Sequence, residues 1–417
     1  VWLQAGAGDN EYSRLFGLID TGAIGPWGTT AFFSGSMTEY EKWKGPGEIN
    51  KDQFNFRLFQ DLGDGDFLSA AVHYNENRNN FYRNINLAQF NSNPGLENDI
   101  SCLRLTPVTG VANNEATQNS VVTWNGATVN NTSCTNYHNT RINPSDTGNI
   151  RLSGSFGLTD NLRLTIDPSF QYVLANGGGF STVSERDDRL DQGGGSSGGT
   201  GVDLNGDTDV LDTVMLYSPS TTNTRRYGIT SSLLWDISEQ HRLRFAYTYD
   251  FGRHRQTGDM GYYDAFGDPE DVFGGKDGNG RRVVGLDGSN LRTRDRSSRA
   301  ILNQFAVEYR GFFFDDALRV DLGVRAPMFE RELNQLCYSQ DSSSSVLCTT
   351  ATPTSTLASG NVIINGTEYI TPYNATLEFN DVLPNIGVTY NLGAGHSIYA
   401  SYAEGFSAPR TDNLYTV

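Results

Sequence analysis

The stretch SFGLTDNLRLTIDPSFQY, residues 155–172, decides the fold. From Leu162, the side chains of Leu162, Leu164, Ile166, Pro168, Phe170 and Tyr172 share one side of an extended chain. Arg163, Thr165, Asp167, Ser169 and Gln171 share the other. A period of two held over eleven residues marks a strand with one apolar and one polar face, because successive side chains of an extended backbone point opposite ways.

The same form recurs along the chain. LLWDISEQHRLRFAYTYD (233–250) turns near Glu239 and Gln240, and FFFDDALRVDLGVRAPMF (312–329) turns at Asp315 and Asp316. LFQDLGDGDFLSAAVHY (58–74) turns around Gly63 to Gly65, and IGVTYNLGAGHSIYASY (386–402) around Gly393 to Gly395. Between these hairpins lie long stretches rich in Gly, Ser, Asn, Asp and Thr, near 78–147, 174–222, 253–298 and 330–377. Loops of this length are unusual in a compact domain. Here they occupy every second connection, so they would all emerge on one side of an up-and-down sheet.

That asymmetry predicts an all-β, antiparallel, up-and-down transmembrane β-barrel with short periplasmic turns and long extracellular loops. About thirteen strands are expected: near 1–6, 12–22, 28–38, 51–62, 66–77, 148–158, 162–173, 223–236, 241–252, 299–313, 317–329, 378–391 and 397–405. Leu162, Leu164, Ile166, Phe170, Leu243, Phe245, Val320 and Leu322 should face lipid, and Arg163, Asp167, Arg242, Arg244, Arg319 and Asp321 the lumen. Tyr172, Trp235, Tyr249, Phe314 and Tyr390 lie towards strand ends, as in the aromatic girdles of membrane interfaces.

Composition agrees. The 417 residues include 46 Gly, 20 Tyr and 23 Phe but only 4 Met, a bias towards strands. No run approaches the eighteen apolar residues of a transmembrane helix. A mean hydropathy of −0.45 does not argue against membrane insertion, since only alternate strand residues meet lipid. A net charge of −17 argues against a nucleic-acid partner. Cys102 and Cys134 lie in one polar stretch, Cys337 and Cys348 in another. The even count predicts two local disulfides and an oxidising compartment. The chain opens within a strand-like pattern at VWLQAGAG, with no signal-peptide pattern, and stops at TDNLYTV; the expectation is one partial barrel domain, residues 1–417, with both edge strands unpaired.

The segment LPNIGVTYNLGAGHSIYASYAEGFSAP (383–409) resembles the mid-barrel signature of TonB-dependent receptors: a Pro-x-x-Gly strand, a short turn, a Tyr-Ala-x-Tyr strand and a Gly-Phe-x-x-Pro end. Pro384, Gly387, Tyr399, Ala400, Tyr402, Gly405, Phe406, Ala408 and Pro409 carry it. Residues 1–62, with Trp43-Lys44-Gly45, are similar to the start of that barrel. The resemblance implies a 22-stranded barrel, of which this is the front part, with a plug domain and TonB box before it and about nine strands after. It implies active uptake of a scarce nutrient, such as a ferric siderophore, a cobalamin-like compound or a glycan, energised by TonB with ExbB and ExbD. A passive porin, or a surface adhesin or structural barrel, are the alternatives.

Two stretches are candidate sites. GVDLNGDTDVLDTV places Asp203, Asn205, Asp207 and Asp209 at alternate positions with Asp212 beyond, the hard oxygen donors a Ca²⁺ ion takes. Its glycine is not at the EF-hand position and Val214 stands where that motif has Glu, departures that favour the other reading, an ordered acidic loop. The stretch 253–298 begins FGRHRQ and ends RTRDRSSR. Arg253, His254, Arg255, Arg281, Arg282, Arg292, Arg294, Arg296 and Arg299 suit an anionic ligand or lipopolysaccharide phosphates, or a self-paired solvated loop. The five histidines form no cluster, and no catalytic order of Ser, His and Asp is visible, so no enzyme is expected.

Overall fold

The computed structural model describes every residue except 103, 105, 114–119, 125–126, 132–133, 192–199, 275–278, 340–347, 365 and 416–417. Thirteen strands follow one another in a single antiparallel meander. They are β1 (Trp2–Ala7), β2 (Ser13–Ile24), β3 (Thr29–Glu41), β4 (Glu48–Gly63), β5 (Asp66–Asn79), β6 (Ser145–Thr159) and β7 (Leu162–Gly177). There follow β8 (Ser220–Asp236), β9 (His241–Asp259), β10 (Arg292–Phe313), β11 (Leu318–Gln335), β12 (Leu383–Gly393) and β13 (His396–Ala403). Tyr373–Asn380 also pairs with β11 and continues the line of β12 across Asp381 and Val382. Among the described residues β1 pairs only with β2 and β13 only with β12, so the sheet is not closed.

Turn chemistry sets one end. The β4–β5 turn places Asp64 and Gly65 at φ of 54° and 77°, the left-handed pair that suits a two-residue hairpin. At the other end two connections are short, 8–12 and 42–47, and the rest are long. The expected asymmetry holds, with those two short links as its exception.

Strand pairing carries one face across the sheet. Ile19, Phe33, Phe56, Val72, Ile150, Phe170, Tyr227, Phe251 and Ile301 stand opposite one another in unbroken register from β2 to β10. These positions share the parity of Leu164, Leu233, Phe245, Val307 and Val324, and Phe305 on the same face is 56% exposed. In water such a face would be an aggregation surface; in a bilayer it is the lipid-facing wall. The opposite parity holds Arg163, Asp167, Arg242, Arg244, Arg319 and Asp321, as the alternation requires.

The buried core lies elsewhere. The largest fully buried side chains, Tyr217, Phe273, Leu190, Met215, Leu216 and Met260, are all in the connections or at a strand's end. Val183, Leu190, Leu204, Val214 and Leu216 from the loop after β7 pack with Met260, Val283 and Leu291 from the loop after β9. Met215, Tyr217 and Tyr263 then pack with Cys102, Cys134, Tyr137 and Ile142 from the loop after β5. Three long loops thus share one apolar cap.

The stretch read as a 253–298 loop is corrected by the register. FGRHRQ belongs to β9 and RTRDRSSR to β10, paired from Arg253↔Arg299 through Thr257↔Asp295 to Asp259↔Arg292. Both strands run past the apolar zone. Their outer halves have no apolar partner positions, so alternation against polar residues gave no sign of them; backbone pairing and the cross-strand ion pairs Arg255–Asp295 and Asp259–Arg292 hold them together.

Candidate functional site: the polar lumen and the loop cap

Towards the short-turn end, the polar face lines a cavity of about 810 Å³ whose walls include Arg242, Arg244, Glu308, Arg310, Arg319 and Asp321. Arg310 Nε and Arg319 Nε donate to the two oxygens of Asp321 at 2.8 and 2.7 Å, and Arg244 donates to Glu308 at 3.1 Å. On neighbouring strands Thr165 and Ser232 hydroxyls meet at 2.7 Å, and Arg226 pairs with Asp250 at 2.7 Å. Arginine forks with half-exposed carboxylates fix the face geometrically while leaving it wet.

Nearer the loops the same face becomes more cationic. Arg294 donates to Ser220 Oγ at 2.6 Å, and Arg296 Nε to Gln335 Oε1 at 2.9 Å, with its guanidinium 4.5 Å from the Tyr415 ring centre. Tyr415 is buried; its hydroxyl lies 2.9 Å from Ser298 Oγ and accepts the Asn334 amide at 2.9 Å. The segment after β13 reaches this place along the polar face. Phe406 stacks near Phe329 with centroids 5.8 Å apart, and the Pro409 carbonyl accepts Arg331 Nε at 3.3 Å. Of the other motif residues, Gly387 stands opposite Asp321, where a Cβ would lie 3.6 Å from that residue's own Cβ. Pro384 pairs with Val324 in β12, Tyr402 shares the outward parity of Ile386, Tyr399 has the inward parity, and Gly405 follows β13. Tyr415 was not singled out by the sequence, since a lone tyrosine near a chain end carries no spacing signal.

The acidic loop 203–212 lies within the cap. Glu185 is fully buried; its carboxylate accepts the amides of Leu204 at 2.7 Å and Asp212 at 3.0 Å. Asp212 accepts Asn205 Nδ2 at 2.6 Å and the Asn113 amide, and Asp209 accepts the Gly110 amide at 2.5 Å. The carboxylates of Glu185, Asp209 and Asp212 come within 4.8 Å of one another. Burial raises the Glu185 pKa, and the nearby Asp212 and Asp203 add to the rise. Asp207 is 8% exposed; its Oδ1 takes the Asp209 amide at 3.0 Å while Oδ2 is occluded and has no hydrogen-bond partner among the described residues. Asp203 turns back to the amides of Gly206 and Thr208 at 2.6 and 2.9 Å. Glu185 escaped the sequence reading because it lies eighteen residues before Asp203, outside the alternation.

Both expected disulfides are formed, each within one loop: Cys102–Cys134 with an S–S distance of 2.03 Å and Cys337–Cys348 with 1.97 Å. The arginines placed in one stretch by the sequence separate. Arg296 and His254 face inward by parity and Arg253, Arg255 and Arg299 outward. Arg294 lies at the register shift between Asp295 and Arg292 and reaches the inward side through Ser220, while Arg281 pairs with Glu270 in the loop.

The family described as TonB dependent receptor-like, beta-barrel matches residues 103–417. No curated protein matches the chain. Among solved structures, the ferric-catecholate import receptor Fiu from E. coli K12 in its open form is similar with a TM-score of 0.53 at 12% identity, over 96% of this chain and 53% of that one. The siderophore receptor PiuA from Acinetobacter baumannii gives 0.51 at 15% identity over 96% and 48%. The ferric citrate transporter FecA, unliganded, gives 0.53 at 10% identity over 96% and 42%. The chain spans about half the length of these structures, and at such identities the likeness is one of fold.

Proposed function

This chain belongs to the TonB-dependent receptor-like β-barrel family, a family of Gram-negative outer-membrane receptors, and from that premise we propose that it forms part of the wall of an iron–siderophore uptake receptor. The observation that carries the proposal is the inward cationic ledge beneath the loop cap: Arg296 and Arg331 by register, and Arg294 through its bond to Ser220. A ferric chelate with anionic oxygen donors suits guanidinium groups held on rigid strands. A cobalamin-like compound or a glycan offers little negative charge to such a ledge. TonB with ExbB and ExbD would supply energy, through parts of the parent protein other than this wall.

The test uses the full-length receptor in a siderophore-deficient host. Uptake of radiolabelled ferric catecholate or ferric citrate should require TonB and fall about tenfold or more in an Arg294→Gln, Arg296→Gln variant. Uptake of cyanocobalamin or oligosaccharide in place of iron chelates would overturn the ligand class. TonB-independent swelling of proteoliposomes by neutral sugars would favour the passive porin instead.

We also propose that the acidic loop takes Ca²⁺ between Glu185, Asp209 and Asp212. Support comes from three converging carboxylates, two of them buried, and from the occluded unpartnered oxygen of Asp207 nearby. Charges removed from water call for a counter-ion, and hard oxygens suit this one. Calcium titration of the purified receptor should protect residues 180–217 from protease at millimolar concentrations or below, and Asp212→Asn should abolish that protection. Equal protection with and without calcium would leave the loop as a self-satisfied turn.

A further inference from the structure

The outward face ends in a row of like charges. Arg225 on β8 stands directly opposite Arg253 on β9, and Arg253 directly opposite Arg299 on β10. All three are exposed and share the parity of Tyr227, Phe251 and Ile301, which form the row just below them. No register shift intervenes in either pairing between the two rows, so the arginines lie one outward position beyond the apolar wall, about 7 Å further along the strands. Tyr172 continues the row on β7.

Directly opposed like charges destabilise a strand pair, since the Cβ atoms lie only about 5 Å apart. A neutralising partner is supplied once: Arg299 pairs with Glu332 at 2.9 Å. Among the described residues neither Arg225 nor Arg253 has an ion pair, although the chain as a whole carries −17. One strand position further, Arg255 is paired with Asp295. The fold therefore places two uncompensated guanidinium groups at the upper rim of the lipid-facing wall, on the side of the long loops, with aromatic and aliphatic side chains beneath them.

We propose that the Arg225–Arg253–Arg299 row is a binding site for the phosphate groups of lipid A in the outer leaflet. Acyl chains lie against the apolar wall below, crossing the row of Tyr227, Phe251 and Ile301, and the headgroup phosphates reach the guanidinium forks, which bind phosphate oxygens bidentately. The inference rests on the outer-membrane placement of the barrel and is independent of the transported ligand.

The experiment uses the full-length receptor in detergent, with native mass spectrometry against three probes: bisphosphorylated lipid A, dephosphorylated lipid A and phosphatidylglycerol. Wild type should bind bisphosphorylated lipid A at least tenfold more tightly than either other lipid. Arg225→Gln with Arg253→Gln should erase most of that preference, and the corresponding Arg→Lys pair should keep part of it through charge alone. Arg57→Gln, which removes one positive charge from the opposite face, should leave it unchanged. Heat-modifiable mobility on gels shows that each variant is folded. Equal affinity for dephosphorylated lipid A, equal affinity for phosphatidylglycerol, or the same loss in Arg57→Gln would each overturn the proposal.

Discussion

Tyr137 donates its hydroxyl to Asp268 Oδ1 at 2.8 Å, bridging two loops whose partners stand 131 residues apart in the chain. Asn139 Nδ2 donates to the same oxygen at 2.6 Å. The loop after β5 is thereby fastened to the loop after β9, beside the Cys102–Cys134 disulfide. In Tyr137→Phe the carboxylate keeps the Asn139 bond, so no buried acceptor is orphaned and the cost should be about 1 kcal/mol. Hydrogen exchange of residues 134–142 in the purified receptor should quicken severalfold; unchanged exchange would show that the bridge adds nothing.

Gly267 lies at the same junction with φ of 85°, and a Cβ built there would meet Cys102 Cβ and Sγ at 2.8 Å. Gly267→Ala adds left-handed strain of about 1–2 kcal/mol to a contact that cannot close. Limited proteolysis should cut loops 80–144 and 260–291 faster in this variant. Substitution at Gly288, whose Cβ would meet nothing within 4 Å, should leave the contacts between those loops intact.

His138 gives the cap a pH dependence. Burial lowers its pKa from the ordinary 6.5, outweighing the bond of Nδ1 to the Asp99 carbonyl at 3.2 Å and the nearby Asp268 charge. Its neutral form is therefore favoured in the folded cap. The unfolded loop takes up the proton first, so stability is full above pH 6.5 and falls as pH drops from there towards the lowered folded value. Protease resistance of residues 99–142 should decline between pH 7 and 5, and His138→Gln should flatten the decline.

The two faces can be separated by adjacent substitutions in β9. Phe245 faces the bilayer and Ala246 the lumen cavity. Phe245→Arg should cost about 2–4 kcal/mol in lipid, whereas Ala246→Arg should cost far less. Urea unfolding in lipid vesicles measures both, and equal costs would refute the register.

The sequence by itself determined the wall. Alternation from Leu162 to Tyr172 fixed which residues face out, because a strand's side-chain period is two whatever surrounds it. Turn residues such as Asp64 and Gly65 fixed where strands reverse, and the grouping of four cysteines in two polar stretches pointed to the two local bonds that form. All of these are local rules. The tertiary structure decided what long-range contact decides. It extended β9 and β10 beyond 252 and before 299, where backbone pairing and ion pairs such as Arg255–Asp295 hold them without apolar contacts. It gathered loops far apart in sequence into one apolar cap, brought Glu185 to Asp209 and Asp212, and set Arg225, Arg253 and Arg299 side by side. No spacing in one dimension records those meetings, because they depend on which strands become neighbours and in what register.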